Sequence, residues 1–447
     1  MSTVSEFLDA LLEQGPEGVG RFAASLDPEW IDAALAATGK ASIRRRKLPA
    51  EQAVWLVLGM CVFADKSIRD VVDHLGLVVP GVESLAPSSV VAARSRLGAE
   101  PMAWLFRRVA EEWADSSSGL EPWRGLTLHA VDGTCLRVWD SDENFDRFGK
   151  PGGRGGPNDA GYPQVRLTCL LNLQTRMIRA AAFGPFKTSE HELAGRLWAK
   201  LSDDSLTILD RGFIDYRLFA SLVSAGCNRH LLVRMRRNLK YEPIELLPDG
   251  SELAYIKPHK KLIATDPTLP AALTVRVVHY QHDGGEPNRL LTTLLDPEAF
   301  PAEELIELYH QRWEIELAYD ELKTHMIERR ECLRSRTPDG VEQEVHGLLL
   351  TYNLVRREML LAAQSHDLPP RRISFRSSLM WVRNFWQTAW TTRSPGNIPK
   401  HLDHFRSTLD VLILPERRSE RRYPRHVKIK MSNFPRNRGK RGTAVVK

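Results

Sequence analysis

Three acidic residues stand where a sheet and a helix could bring their carboxylates together. Asp132 follows the strand-like segment LTLHAV, Asp210 follows SLTIL, and Glu316 lies in the helical stretch YHQRWEIELAYDELK. If the two strands are neighbours, both aspartates emerge at one sheet edge, and the helix can supply the third carboxylate. Three convergent acids need a countercharge, because like charges raise each other's pKa. Mg²⁺ prefers oxygen ligands, and two such ions can stabilise the attacking and leaving oxygens of a phosphodiester displacement.

Each acid also has a plainer explanation. Asp132-Gly133 is a common hairpin-turn dipeptide, and Asp210 could simply begin a turn after a strand. Other acids near Asp132 lie in a polar run that is typical of a loop, namely Asp140, Asp142, Glu143 and Asp146. Only the two strand-end aspartates follow apolar residues that would hold them rigidly, and both interpretations stay open at this point.

The helical stretch that carries Glu316 has an unusual polar face. At about 100° per residue, its Tyr309, Arg312, Glu316 and Lys323 fall within an arc of roughly 60°. An apolar stripe with heptad spacing lies beside them, formed by Leu308, Ile315 and Leu322. A solvated face with local ion pairs would look the same, so the helix alone does not decide.

The totals limit the class of protein. The chain has 447 residues, 43% hydrophobic and 26% charged, which predicts a soluble protein of two or three domains. It contains no run of about 18 apolar residues, and its N-terminus carries acids where a signal peptide carries cations, so we expect a cytosolic protein. The five cysteines form no CxxC pair, which argues against a zinc site and a disulfide framework.

The charge is unevenly distributed. Residues 415–447 hold 12 Lys and Arg against two acids, whereas the whole chain has a net charge of +6. A basic tail on a slightly acidic body is typical of an arm that binds a polyanion such as nucleic acid, although many basic tails are only solvated.

The apolar spacing divides the chain into regions. Residues 1 to about 115 have helical periodicity. After Pro122 the pattern becomes three strands and then alternating helices and strands, which predicts an α/β domain with a mixed sheet. Residues 235–290 lose the helical signal and read as short strands, typical of a β insertion.

Two features of the helical region suggest DNA contact. One is a basic cluster, Arg44-Arg45-Arg46-Lys47. The other is a pair of short helices, SIRDVVDHLG and APSSVVAARSRLG, which resembles a helix-turn-helix with Arg94 and Arg96 on the second helix. A plain helical bundle with surface arginines explains the same pattern nearly as well.

These motifs together resemble a known family. The Tyr-x₂-Arg-x₃-Glu-x₆-Lys spacing of Tyr309, Arg312, Glu316 and Lys323 is similar to the signature of the DDE transposases of bacterial insertion sequences, specifically the insertion-element-four family. The segments VDGT and LDRGF resemble that family's surroundings of the first and second aspartates. LPAEQAVWLVLGM resembles its N-terminal domain, and RRYPRHVKIKMSNFPR resembles the C-terminal segment of some members, so the resemblance covers nearly the whole chain.

The resemblance implies a multidomain fold. We expect an all-helical, DNA-binding N-terminal domain at 1–118, a ribonuclease H-like catalytic domain at 119–390, and a helical and basic C-terminal region at 391–447. The family carries a β insertion between its second aspartate and its glutamate. The 106 residues from Asp210 to Glu316 leave room for one, because a βαβ crossover needs only about 30 residues.

The resemblance also implies roles for the residues. Asp132, Asp210 and Glu316 would be the catalytic acids and would hold two Mg²⁺ ions, for which Mn²⁺ may substitute. Three residues of the signature helix would grip DNA phosphates, namely Tyr309, Arg312 and Lys323. Arg211 is a further candidate phosphate contact, although an ion pair with Asp210 would explain it equally well.

The implied reaction is cut-and-paste transposition in the bacterial cytoplasm, at the nucleoid. Water would cleave the ends of the element, hairpin ends would form and reopen, and the ends would join target DNA. The partners would be double-stranded DNA and a second protomer on paired ends, with no membrane. The segment 199–312 contains no Trp, so Tyr241, Tyr255 or Tyr280 would have to hold a flipped base. Two alternatives stay open, an end-binding repressor without cleavage activity and a ribonuclease H-like nuclease acting on hybrids or junctions.

Overall fold

Helices precede a mixed sheet in the computed structural model, as the apolar spacing predicts. The structure describes residues 26–41, 48–75, 77, 86–116, 120, 122–151, 161–281, 286–328, 330–364, 366–391 and 412–415. The chain divides into two units after Ile413, and only Leu414 and Pro415 of the second unit are among these residues. None of the helices in the described part of the chain is long and apolar enough to span a membrane.

The first helices lie in segments that were predicted to be helical. They are α1 (Pro28–Ala37), α2 (Ala50–Val62), α3 (Ile68–His74), α4 (Pro87–Leu97) and α5 (Glu100–Ser116). Local chemistry fixes where they begin: Ser67 and Asp70 form a capping box at the start of α3, and Pro87 is the first residue of α4. The Arg44–Lys47 cluster and the basic tail after Pro415 lie outside the described residues.

A single sheet of nine strands follows the N-terminal helices along the chain. Its first strands are β1 (Thr127–Arg137), β2 (Gln164–Asn172), β3 (Ile178–Pro185), β4 (Ser205–Leu209) and β5 (Arg229–Arg234). The strand order is β3-β2-β1-β4-β5, followed by the strands of the insertion. β1, β2 and β3 are antiparallel neighbours, whereas β1, β4 and β5 are parallel. The predicted mixed sheet is confirmed.

The strand-rich stretch after β5 extends this same sheet. It comprises β6 (Glu242–Leu246), β7 (Glu252–Ile256), β8 (Leu273–Tyr280) and β9 (Asn288–Thr292). The last of these strands, β9, bonds to β5, so the sheet order continues β5-β9-β8-β7-β6. The short helix α9 (Lys260–Thr265) lies between β7 and β8 along the chain.

Helices cover both faces of the sheet. On one face, α7 (Glu190–Gly195) and α8 (Tyr216–Ser224) contribute to a core with Val131 and Leu209. On the other face, α12 (Pro338–Gln364) and α13 (Phe375–Thr391) share a core with the N-terminal helices. The predicted domain boundaries at 118 and 390 stay predictions.

One polar segment that was expected to be a loop is a helix. Ser141 accepts a hydrogen bond from the Asn144 N–H and caps α6 (Asp142–Phe148), which contains the acids Asp142, Glu143 and Asp146. The expectation was wrong because a serine N-cap followed by two acids in the first turn favours a helix.

The signature segment is not one continuous helix. α10 (Ala302–His310) ends before Gln311, and α11 (Trp313–Asp320) follows and passes into a π-helical stretch at Glu321–Met326. Around the break, the N–H groups of Gln311, Arg312 and Glu314 bond three residues back, which is a tighter winding than an α-helix. The uniform 100° per residue used to align the four signature residues was therefore wrong, and their positions depend on this irregular backbone.

Candidate active site

The structure brings Asp132 and Asp210 to one edge of the parallel strands. The register of β1 and β4 pairs Val131 with Leu209, and each aspartate is the next residue along its strand. Ala130 and Ile208, two residues earlier in each strand, lie in the core that contains α12. Because side chains alternate along a strand, both carboxylates lie on that same face of the sheet.

Asp132 does not end its strand. β1 continues to Arg137, and Asp132 pairs with Cys169 of β2. The prediction of a strand end was wrong, as was the alternative of a hairpin turn at Asp132-Gly133. The parallel partner β4 stops at Leu209, so Asp132 is supported on one side only and is open toward Asp210.

The two carboxylates are each held by the backbone that follows them. An oxygen of Asp132 accepts the Gly133 N–H at 2.8 Å, and an oxygen of Asp210 accepts the Arg211 N–H at 2.6 Å. Burial raises the pKa of Asp132 to about 6. The Gly133 N–H and Arg312 oppose the rise, whereas the charges of Asp210 and Glu190 add to it. A partly buried carboxylate near two other acids has an environment in which a bound cation is stabilising.

Arg312 lies between the aspartates and the signature glutamate. Its guanidinium donates to Glu316 at 2.9 Å, and the side chains are 12% and 39% exposed, so the pair is not sealed from solvent. Burial opposes the charge of Arg312, but Asp210, Tyr309 and Glu316 together raise its pKa. The hydroxyl of Tyr309 is buried beside them, and burial raises its pKa to about 12.

The three acids do not form one metal-binding group in this arrangement. Within the described part of the chain, no three His, Cys, Asp or Glu side chains are placed to hold a metal ion together. Asp132 and Asp210 fit a hard divalent cation, because both are carboxylates with a second oxygen that no described residue hydrogen-bonds. Glu316 is instead engaged by Arg312.

Lys323 lies on the other side of Asp132. It is part of the π-helical stretch, and its ammonium donates to the hydroxyl of Thr134 on β1. Burial lowers the pKa of Lys323. Thr134 is two residues beyond Asp132, hence on the same face of the sheet. The structure therefore arranges Arg312, Asp132 and Lys323 along one face, although the helix that carries the two cations is irregular.

Sequence reasoning missed the residues that fasten this helix. The hydroxyl of Tyr319 donates to the Asp132 carbonyl at 2.5 Å and accepts the Cys169 N–H at 3.2 Å, so it joins α11 to β1 and β2. Its only signal was its spacing of three residues from Glu316, which places the two on neighbouring parts of a helix.

A buried ionic network was also missed. Arg176, in the turn between β2 and β3, donates to Glu314 at 2.5 Å and to Glu321 at 2.9 Å. Glu321 also accepts the Tyr352 hydroxyl at 3.0 Å and pairs with Arg356. All five side chains are buried. The network holds both ends of α11, on either side of Glu316.

Glu190 was not predicted either, and it lies directly behind Asp132. It pairs with Arg166 at 2.6 Å. A Cβ added to Gly133 would stand 2.6 Å from the Glu190 side chain, so only glycine fits there without movement. The dipeptide Asp132-Gly133 therefore has a packing reason that a turn motif does not supply.

The other predicted contacts are placed as follows. Arg211 is exposed, and it meets Asp210 through its backbone N–H, with no ion pair between the two side chains in the described structure. Arg94 donates to Gln343 at 3.0 Å and to Ser335 at 3.1 Å, so it joins α4 to α12 and its neighbouring loop. Arg96 is exposed on α4. DNA contact by any of the three stays a prediction.

Two family models match the chain. Residues 16–107 match the insertion element 4 transposase N-terminal model, and residues 123–354 match the transposase DDE domain. The chain is 37% identical over 412 residues to the transposase InsG for insertion sequence element IS4 of Escherichia coli K12, covering 92% of each chain. It belongs to the insertion-element-four family of transposases. The DDE match contains Asp132, Asp210 and Glu316, so the predicted family is confirmed and the protein is a DDE transposase.

A solved structure also resembles the transposase. A piggyBac transposase synaptic complex with hairpin DNA aligns over 92% of this chain and 86% of that one, with a TM-score of 0.44 and 11% identity. A likeness at this level carries no argument about function. Transposases with a DDE domain generally use divalent metal ions, which agrees with the carboxylates at the β1–β4 edge.

Proposed function

We propose that this transposase cuts DNA at the ends of its element and joins those ends to target DNA. The observation that carries the proposal is the placement of Asp132 and Asp210 side by side on parallel strands, with the signature helix across them. We further propose that the sheet β3-β2-β1-β4-β5 is a ribonuclease H-like core.

In this proposal Asp132, Asp210 and Glu316 hold two Mg²⁺ ions, for which Mn²⁺ can substitute. The ions would activate the attacking oxygen and stabilise the leaving oxygen. Asp210 is open to a cation, and the raised pKa of Asp132 would fall when a cation binds. Glu316 has to leave its ion pair with Arg312 to join them.

DNA supplies a reason for that exchange. Arg312 is a planar cation that binds phosphate through two parallel hydrogen bonds, and a phosphate arriving at Arg312 would compete with Glu316. The ion pair is partly open to solvent, which leaves access for the phosphate. Tyr309 and Lys323 would contact neighbouring phosphates. In the proposed order, DNA binding takes the guanidinium and frees the glutamate, so the metal site is completed only when substrate is present.

The hairpin step also belongs to the proposal. Of the three candidate tyrosines, Tyr280 ends β8, and its phenol is among the groups that raise the pKa of Tyr309. Tyr241 is engaged by Glu252 and lies under Arg289, and Tyr255 is 40% exposed on β7. We propose Tyr280 as the residue that holds a flipped base, in a dimer acting on paired ends at the bacterial nucleoid.

End cleavage in Mg²⁺ tests the proposed site. Asp132→Asn, Asp210→Asn and Glu316→Gln should each abolish nicking of duplex DNA that carries the element's end, while binding of that DNA in EDTA survives. Arg196→Gln, at the C-cap of α7, is the matched control and should cleave normally, because Arg196 pairs with the exposed Glu192 and with no other acid among the described residues. Near-normal cleavage by any of the three acid variants would refute the assignment, and binding without any nicking by the unmodified protein would favour a repressor.

A further inference from the structure

A second cationic site lies beyond Lys323. A cavity of about 220 Å³ opens between the end of β1 and the segment that follows the π-helical stretch. Three cations line it, Arg137, Lys323 and Arg330, against one acid, Glu331. The carboxylate of Glu331 already accepts the Tyr162 hydroxyl at 2.8 Å. The cavity therefore carries an excess of positive charge.

Its two arginines are not used by the fold. Both are exposed, and neither side chain makes a hydrogen bond or an ion pair with any residue that the structure describes. Other arginines of the described chain are engaged: Arg147 pairs with Glu342 at 2.9 Å, and Arg166 pairs with Glu190. Cationic side chains that share a concave surface repel one another, and a bound anion relieves that repulsion.

The backbone holds the two arginines in place. The N–H of Leu333 donates to the carbonyl of Arg137 at 2.9 Å, and Val138 and Leu333 form a parallel bridge. The segment that carries Arg330 is thus bound to the strand that carries Asp132. Arg137 is five residues beyond Asp132, which is about 16 Å along an extended strand. A ligand that spans both places is a polymer rather than a single small anion.

We propose that Arg137 and Arg330, together with Lys323, bind a phosphodiester of the DNA strand that leads away from the cleavage point. The proposal rests on the proposed function and extends its DNA path by one site. The contact is to the backbone and not to bases, because guanidinium groups in an open cavity with an excess of positive charge recognise phosphate without reading sequence.

Salt dependence of binding tests the site. Fluorescence anisotropy in EDTA would follow two labelled 30-bp duplexes, one from the element's end and one of arbitrary sequence. Each lost phosphate contact lowers the slope of log affinity against log salt by roughly 0.9. The Arg137→Ala/Arg330→Ala double variant should reduce the slope by about this amount on both duplexes, whereas the double variant with lysine at both positions should keep it.

The control is Arg217→Ala, which removes an exposed arginine of α8 that pairs with Asp266 and does not line this cavity. It should leave the slope unchanged. An unchanged slope in the Arg137→Ala/Arg330→Ala double variant would overturn the proposal, as would an equal reduction in the control. Circular dichroism melting of each variant shows whether its fold is retained.

A second measurement locates the contact. Neutral methylphosphonates placed singly along the end duplex should weaken binding to the unmodified protein at one or two positions, and those positions should no longer matter in the double variant. If every methylphosphonate weakens binding of the double variant as much as binding of the unmodified protein, the proposed site is refuted. Because these readouts concern binding without metal, they are independent of cleavage. Cleavage with no such contact would leave the proposed function standing and remove only this site.

Discussion

The Arg312 guanidinium and the Glu316 carboxylate form an ion pair at 2.9 Å across the edge where Asp132 and Asp210 emerge. The same arginine lies close enough to Asp132 to lower its pKa and close enough to Asp210 for that carboxylate to raise the pKa of the guanidinium. One cation thus interacts with all three acids in this structure.

Removing Arg312 should therefore change the pH dependence of cleavage as well as its rate. Without this cation the pKa of Asp132 should rise above about 6, because only burial and the neighbouring acids remain to act on it, with the Gly133 N–H as the opposing contact. The pH–rate profile of Mg²⁺-dependent nicking by Arg312→Ala should shift to higher pH. Arg312→Lys keeps the charge and should hold the midpoint, and an unshifted midpoint in the alanine variant would contradict the arrangement.

Asp132 should cost the folded protein stability at neutral pH. Its folded pKa of about 6 lies above its ordinary value of 3.8, so its protonated form is favoured by folding. The stability that the protonated carboxyl contributes is therefore complete below about pH 4, and it is lost as the pH rises through about 6. Asp132→Asn should raise the free energy of unfolding by up to roughly 3 kcal/mol at pH 8 and by almost nothing at pH 3.5. Urea denaturation at the two pH values measures the difference, and equal effects at both would contradict it.

The buried network should be far more sensitive than surface ion pairs. Arg176→Met leaves Glu314 and Glu321 buried with one cation fewer, which should destabilise the fold by roughly 3–5 kcal/mol. Arg196→Met breaks an exposed pair with Glu192 and should change stability by less than about 1 kcal/mol. Chemical denaturation of both variants makes the comparison, and similar losses would show that the network does not stabilise α11.

A side chain at Gly133 should displace the side chain of Glu190. Gly133→Ala brings a methyl group to within 2.6 Å of that side chain, whose carboxylate is partly exposed, so it should destabilise by about 1 kcal/mol through the weakened pair with Arg166. Pairing it with Glu190→Ala should recover part of that loss, since the clashing atoms are gone. Gly195→Ala is the matched control, because nothing lies within 4 Å of the added group. Thermal melting measures the loss and the recovery. A double variant that recovered no stability would show that the added methyl group does not clash with Glu190.

The acids of the sheet were predictable for a physical reason. Asp132 and Asp210 each follow a run of apolar residues, and such runs become neighbouring parallel strands whose next residues share an edge. The mixed sheet and the strand-rich insertion followed from the change of apolar period. The domain boundaries and the roles of the individual residues stay predictions.

The arrangement of the signature segment was not predictable from spacing. A run of apolar and polar positions does not show the break at Gln311 or the π-helical stretch after Asp320, because both change the backbone winding without changing the pattern. The network around Arg176 was hidden because its partners are 138 and 145 residues away along the chain. Charged residues of a helix look solvated in a sequence until the fold supplies their partners.

The pairing of β9 with β5 means that the insertion cannot swing as a hinged arm. Its last strand is bonded at Leu290 to Arg234, and β5 is bonded in turn to the strand that ends at Leu209. A displacement of the insertion would therefore also displace β5 and β4, and with them the carboxylate of Asp210. Chimaeras that exchange this region between relatives will have to keep the hydrogen-bond register between β5 and β9. Exchange at the flanking loops alone would place two strands side by side that do not match.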